Sequence, residues 1–149
     1  MLNLLLALHV LLAVFAIGPL VHATTTASRG IRRGDGAATA ASARMARIYA
    51  LVSVLVVLVG FGLMSMKSPS THQPLGAVSQ TWVWLSGVLW LLAVGLVLGL
   101  LVPTLDKATA QIGRGESVVG LTGRVAAAGG LVGLIFAVIV ALMVYRPGA

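Results

Sequence analysis

Three histidines and three carboxylates are all the acid-base chemistry this sequence offers: His9, His22 and His72, with Asp35, Asp106 and Glu116. His9 has the most to explain, because it interrupts a long apolar stretch, and an ionisable side chain inside lipid marks function by default. Met64, Met66 and His72 stand close together in the chain. Thioether and imidazole donors suit Cu(I), and His9 could complete such a set, although methionine is equally ordinary filling for apolar packing. Imidazole also ligates b-type haem. His9 and His22 lie thirteen residues apart, a rise of about 20 Å along one helix, so a single iron cannot take both. A haem would need His9 with a methionine, or the His9 residues of two copies.

Catalytic constellations are missing. The three acids fall near or in the segments between apolar stretches, so no buried carboxylate pair exists for proton transfer. There is no cysteine, no His-Glu-x-x-His and no phosphate-binding Gly-Lys motif. The glycines between Arg29 and Gly36 read as a loop. The chain reads as non-enzymatic, with no cofactor required, and proton-coupled transport lacks the intramembrane carboxylate or histidine relay it normally uses.

The elements that must position these residues are apolar. Of the 149 residues 59% are hydrophobic and 9% charged, far from the roughly 25% charged residues of a soluble domain. The apolar residues form four runs, Leu2 to Ala23, Ile48 to Met66, Trp82 to Pro103 and Val125 to Tyr145, none holding Asp, Glu, Lys or Arg. Each is near the ~20 residues that cross a ~30 Å hydrocarbon core. Only helices and closed barrels satisfy the backbone in lipid, and the runs are too long and too unalternating for barrel strands. The expected fold is an all-α membrane protein, one domain over 1–149, with the lipid bilayer as its solvent.

The excess of basic residues, 10 Lys and Arg against 3 acids, raises the question of nucleic acid. The cations instead gather in two loops beside the spans, Arg29, Arg32, Arg33, Arg44 and Arg47 in the first, Lys107, Arg114 and Arg124 in the second. Loop arginines that orient a membrane protein account for them, and no nucleic-acid partner is expected. By the same rule the two basic loops face the cytoplasm, and both termini and the Lys67 to Gln80 loop face outside. Trp82, Trp84 and Tyr145 then form an outer aromatic belt. Val21-His22-Ala23 has the form of a signal-cleavage site, but no Lys or Arg precedes the first run, which is therefore read as a retained span.

The two halves of the chain are similar. Pro19 is followed by Arg33-Gly34-Asp35 and then by Arg44-Met45-Ala46; Pro103 is followed by Arg114-Gly115-Glu116 and then by Arg124-Val125-Ala126. The pattern predicts two pseudo-repeated hairpins in an antiparallel four-helix bundle, related by an axis along the membrane normal. Each proline is expected to kink or end its helix. The alignment matches His22 with Asp106, so His22, Arg44, Asp106 and Arg124 are expected at an inner mouth, as interfacial anchors or as an anion or partner site. Gly95 with Gly99, and Gly129 with Gly133, have the small-xxx-small spacing of close helix packing. By helical rise Trp90 and the Gly60-Phe61-Gly62 stretch share the depth of His9, and a neutral His9 packed near Trp90 is the structural alternative to a ligand role.

The Leu-His-Val-Leu-Leu-Ala-Val around His9, the Arg-opened second hairpin and the closing Leu-Met-Val-Tyr-Arg-Pro resemble a functionally uncharacterised family of small bacterial four-helix integral membrane proteins. A more distant likeness is to copper-resistance D-type membrane proteins, whose early histidine would lend a copper role to His9. The family resemblance implies a bacterial plasma-membrane protein. Two functions follow as expectations: an accessory or structural subunit that associates with itself or other membrane subunits, or a small transporter or metal-handling protein built on His9.

Overall fold

The computed structural model describes residues 1–70 and 72–149 and is an all-α bundle of four apolar passages, each long enough to cross a membrane. The first passage is α1 (Leu2–Arg32), the second α2 (Gly36–Met64). The third is continuous but composite: α3 (Thr81–Leu96), a π-helical segment (Val97–Leu101) and α4 (Val102–Gly113). The fourth is α5 (Val119–Tyr145). Around the bundle α1 packs on α2 and α5, α2 packs on α4, and α3 packs on α5, so neighbours in sequence are neighbours in space.

The helices outrun the apolar runs. With 31 residues, α1 is roughly 46 Å long against a ~30 Å hydrocarbon core. The excess lies at the basic end, in Thr24–Arg32 of α1, the first turns of α2 and the last turns of α4. These segments stay helical because each keeps a narrow buried stripe: Ala23, Ala27 and Ile31 in α1, Ala43 and Ala46 in α2, Leu105 and Ala108 in α4. Their hydroxyls bond back to the preceding turn, Thr24 and Thr25 to the Val21 carbonyl and Thr26 to that of His22, at 3.1, 2.7 and 2.7 Å. A threonine so folded carries no unpaired polar group into the contact.

Both basic turns stop their helices by one device. Gly34 and Gly115 adopt φ of +63° and +71°, and the following amide reaches back five residues, Asp35 to the Gly30 carbonyl and Glu116 to that of Gln111, both at 2.9 Å. This left-handed glycine closure pairs carbonyls the helix end leaves free. The turns then part. Asp35 accepts from the Ala38 amide at 2.9 Å and starts α2 at once. Glu116 instead bonds Arg114 at 2.7 Å, and α5 waits until Val119.

Of the two effects expected of proline, a kink or an end, the end occurs in neither helix. α1 continues past Pro19 for its last turns as regular helix. Pro103 lies just beyond the π-helical segment. A wider turn there accommodates a ring that cannot donate to the turn before it.

Packing is uneven along the bundle axis. α1 has no buried residue before Ala16, whereas from there to Ile31 it contributes seven. The core runs from Leu20, Ala27 and Ile31 across Ala46 and Ala50 to Val97, Leu101 and Leu105 and to Val125 and Val132. Lipid tails are as apolar as these side chains, so within the bilayer this contact rests on close van der Waals fit rather than on escape from water.

Candidate functional site

In the far half of the bundle, away from the basic turns, the polar side chains set within the passages include His9, Ser53, Ser86 and Trp90. His9 lies against α2 at Gly60: a Cβ there would come 3.1 Å from His9 Cε1. The glycine makes room for the ring, which approaches the Val56 backbone and leaves Nδ1 buried without a hydrogen-bond partner. Near the basic turn Gly30 meets Thr39 in the same way. The two pairs are equally spaced on both helices, so α1 and α2 hold one antiparallel register from the turn to His9.

Trp90 is tied to α2 through Ser53. Its indole Nε1 donates to Ser53 Oγ at 3.0 Å, and Ser53 Oγ in turn donates to the Ala50 carbonyl at 2.6 Å. Ser53 is seven residues before Gly60 on α2, about 10 Å nearer the basic end by helical rise. Ser53 is fully buried and was not singled out by residue type; a lone polar residue among valines and leucines was its signal. Ser86, one turn before Trp90 on α3, is buried with its hydroxyl unpartnered.

Each residue of the soft-donor set has a structural setting of its own. Met64 ends α2, with its Cγ 3.5 Å and the Trp82 ring 3.1 Å from where a Gly76 Cβ would stand. Met66 is in the loop beyond, paired through its backbone carbonyl with the Leu75 amide at 2.9 Å. His72 is exposed at φ +57°, in a tight turn where its amide donates to Ser68 at 2.9 Å. Among the described residues no three His, Asp or Glu side chains cluster closely enough to hold a metal ion. Trp82 organises this far end: Nε1 donates to Gln80 Oε1 at 3.2 Å, and the Arg146 guanidinium lies 5.4 Å from its ring centroid. That stacking is a cation-π contact between the start of α3 and the end of α5.

At the basic end the expected quartet does not form one mouth. His22, Arg44, Asp106 and Arg124 are all exposed around the outside of the bundle. Asp106 pairs instead with Arg47, Nη2 to Oδ2 at 2.9 Å, each side chain about half exposed. Arg44 and Arg47 are one turn apart on α2, and only the second reaches α4. Arg114 and Glu116 form the other ion pair, which holds the Glu116 carboxyl below its ordinary range, mainly by the Arg114 hydrogen bond. Asp35 is committed to the α2 cap. All three acids are thereby engaged.

The two glycine pairs have opposite surroundings. A Cβ on Gly129 would collide with the Thr24 carbonyl, and one on Gly133 would stand 3.4 Å from Thr25 Cγ2. This pair is the seat of the α1–α5 crossing. Gly95 and Gly99 meet nothing within 4 Å. They lie on an exposed stripe of the third passage with Trp84, Val88, Leu91 and Pro103. No family model, curated protein or solved structure matches the chain, so its functional reading rests on these contacts.

Proposed function

We propose that this small polytopic membrane protein is a non-enzymatic accessory or structural subunit that associates laterally with other membrane helices through the Gly95-Gly99 face of its third passage. The observation that carries the reading is the contrast between the glycine pairs. Gly129 and Gly133 serve the internal crossing with α1, while Gly95 and Gly99 present the same spacing to open space. Small residues let two backbones approach closely in lipid, and the π-helical segment beside Gly99 marks an irregular stretch of the kind enriched at functional sites. Under this reading the protein resides in a bacterial plasma membrane, with the basic turns in the cytoplasm and both termini outside.

The absence of cysteine makes the test clean. Gly99→Cys and, as control, Leu134→Cys on the exposed side of α5 would be introduced separately, labelled with a thiol-anchored benzophenone and irradiated in native membranes, so that any neighbouring helix can be captured. A cross-linked product with Gly99→Cys alone, lost on adding Gly95→Leu, is the expected result. Equal cross-linking at both positions, or none at either, would overturn it.

A further inference from the structure

The carboxylate accounting at the basic end leaves an unusual remainder. Arg47 and Arg114 have acid partners, and Asp35 is spent on a helix cap. Arg29, Arg32, Arg33, Arg44, Lys107 and Arg124 have none among the described residues. These side chains are exposed, because the buried stripes beside them are filled by Ala23, Ala27, Ile31, Ala43, Ala46 and Ala108.

Their heights are set by the helix pairings. The Arg47-Asp106 bridge levels α2 with α4 and brings Lys107 beside it. The His9-Gly60 register places Arg47 opposite His22 and Arg44 about one turn further along α1. The Gly129-Thr24 contact puts Arg124 near the height of Arg29. Cations therefore project from every passage within the few turns where the helices leave the apolar region. A phosphate bearing one net negative charge is the anion found at that height around an embedded protein.

We infer that these cations form a collar for anionic phospholipid headgroups, one that retains such lipids in preference to zwitterionic ones. The shared chemistry is a phosphate monoanion met by guanidinium and ammonium groups, with arginine able to take two phosphate oxygens at once. The acyl chains supply the rest by lying along the apolar surface beneath. That second component separates a lipid from free phosphate.

The full chain in mild detergent, mixed with equal amounts of phosphatidylglycerol and phosphatidylcholine, would be examined by native mass spectrometry for retained lipid. Wild type is expected to keep phosphatidylglycerol in excess. Arg29→Gln, Arg44→Gln and Arg124→Gln, which break no internal ion pair, would each reduce the preference, by roughly fivefold per cation near an anionic surface. Lys67→Gln at the far end would leave it unchanged. Because the same preference must fall with added salt in the unmodified protein, a misfolded variant does not remove the test. Equal retention of both lipids by wild type, a preference that ignores salt, or displacement of phosphatidylglycerol by inorganic phosphate at the same concentration would each overturn the inference.

Discussion

The Trp90 indole and the Ser53 hydroxyl, 3.0 Å apart, join α3 to α2 at a level where their backbones scarcely meet. Closer to the basic end the same two passages are in contact through α4 and the π-helical segment. The bond therefore closes a gap that helix packing leaves open.

Ser53→Ala removes that closure. The expected loss of stability is about 0.6 kcal/mol and no more than about 1.7, the span seen for interhelical hydrogen bonds in lipid. A double-mutant cycle with Trp90→Phe, read by unfolding in mixed micelles, would show the two effects to be shared. Additive losses would mean that the bond contributes nothing.

The two glycine pairs make opposite forecasts for the same substitution. Gly129→Ala forces a Cβ into the Thr24 carbonyl and is expected to cost about 1–3 kcal/mol, since α1 or α5 must shift. Gly95→Ala meets open space and is expected to be neutral or stabilising by up to about 1 kcal/mol, through reduced freedom of the unfolded chain. Thermal unfolding of both variants in one detergent decides the matter; comparable melting points would refute the assignment of the α1–α5 crossing.

The Arg47-Asp106 bridge is half exposed, so its coupling energy is expected at about 0.2–1 kcal/mol and to decline with ionic strength. Asp106→Asn, Arg47→Gln and the double variant at low and high salt would measure it. A coupling insensitive to salt would place the pair in drier surroundings than its exposure implies.

Glu116 offers a pH dependence with a definite sign. Its carboxyl is held below the ordinary value of 4.5 by Arg114. The charged pair therefore supports the second basic turn fully above about that pH, and the support fades as pH falls through the lowered value. In Arg114→Gln the carboxyl returns toward its ordinary range. An NMR titration of the Glu116 side chain in the two proteins should show the higher midpoint in the variant.

Single cysteines at Ser117, in the second basic turn, and at Ser70, in the far loop, test orientation. An impermeant maleimide added to intact cells is expected to label Ser70→Cys at once and Ser117→Cys only after lysis. The reverse order would invert the topology.

The passages were legible in the sequence because lipid imposes a length and forbids charge, and the four uncharged runs obey both. The helix extensions were not. Thr24 to Ser28 looks like a loop by composition, and only the back-bonded hydroxyls and the stripe through Ala27 and Ile31 keep it helical. Helical rise sets Gly60 at the depth of His9, and the two do meet; the Trp90-Ser53 bond is not legible, because spacing carries no information on where a side chain reaches. The quartet of His22, Arg44, Asp106 and Arg124 followed from aligning the halves, which fixes height but not the direction in which a side chain faces.

The intimate crossings, Gly129 on Thr24 and Gly30 on Thr39, gather toward one pole of the molecule, while the leading turns of α1 bury no residue fully before Ala16. At the other pole Trp82 and Arg146 still join α3 to α5, so the leading turns of α1 are held least, and a change of bilayer thickness is expected to register first at the His9-Gly60 contact.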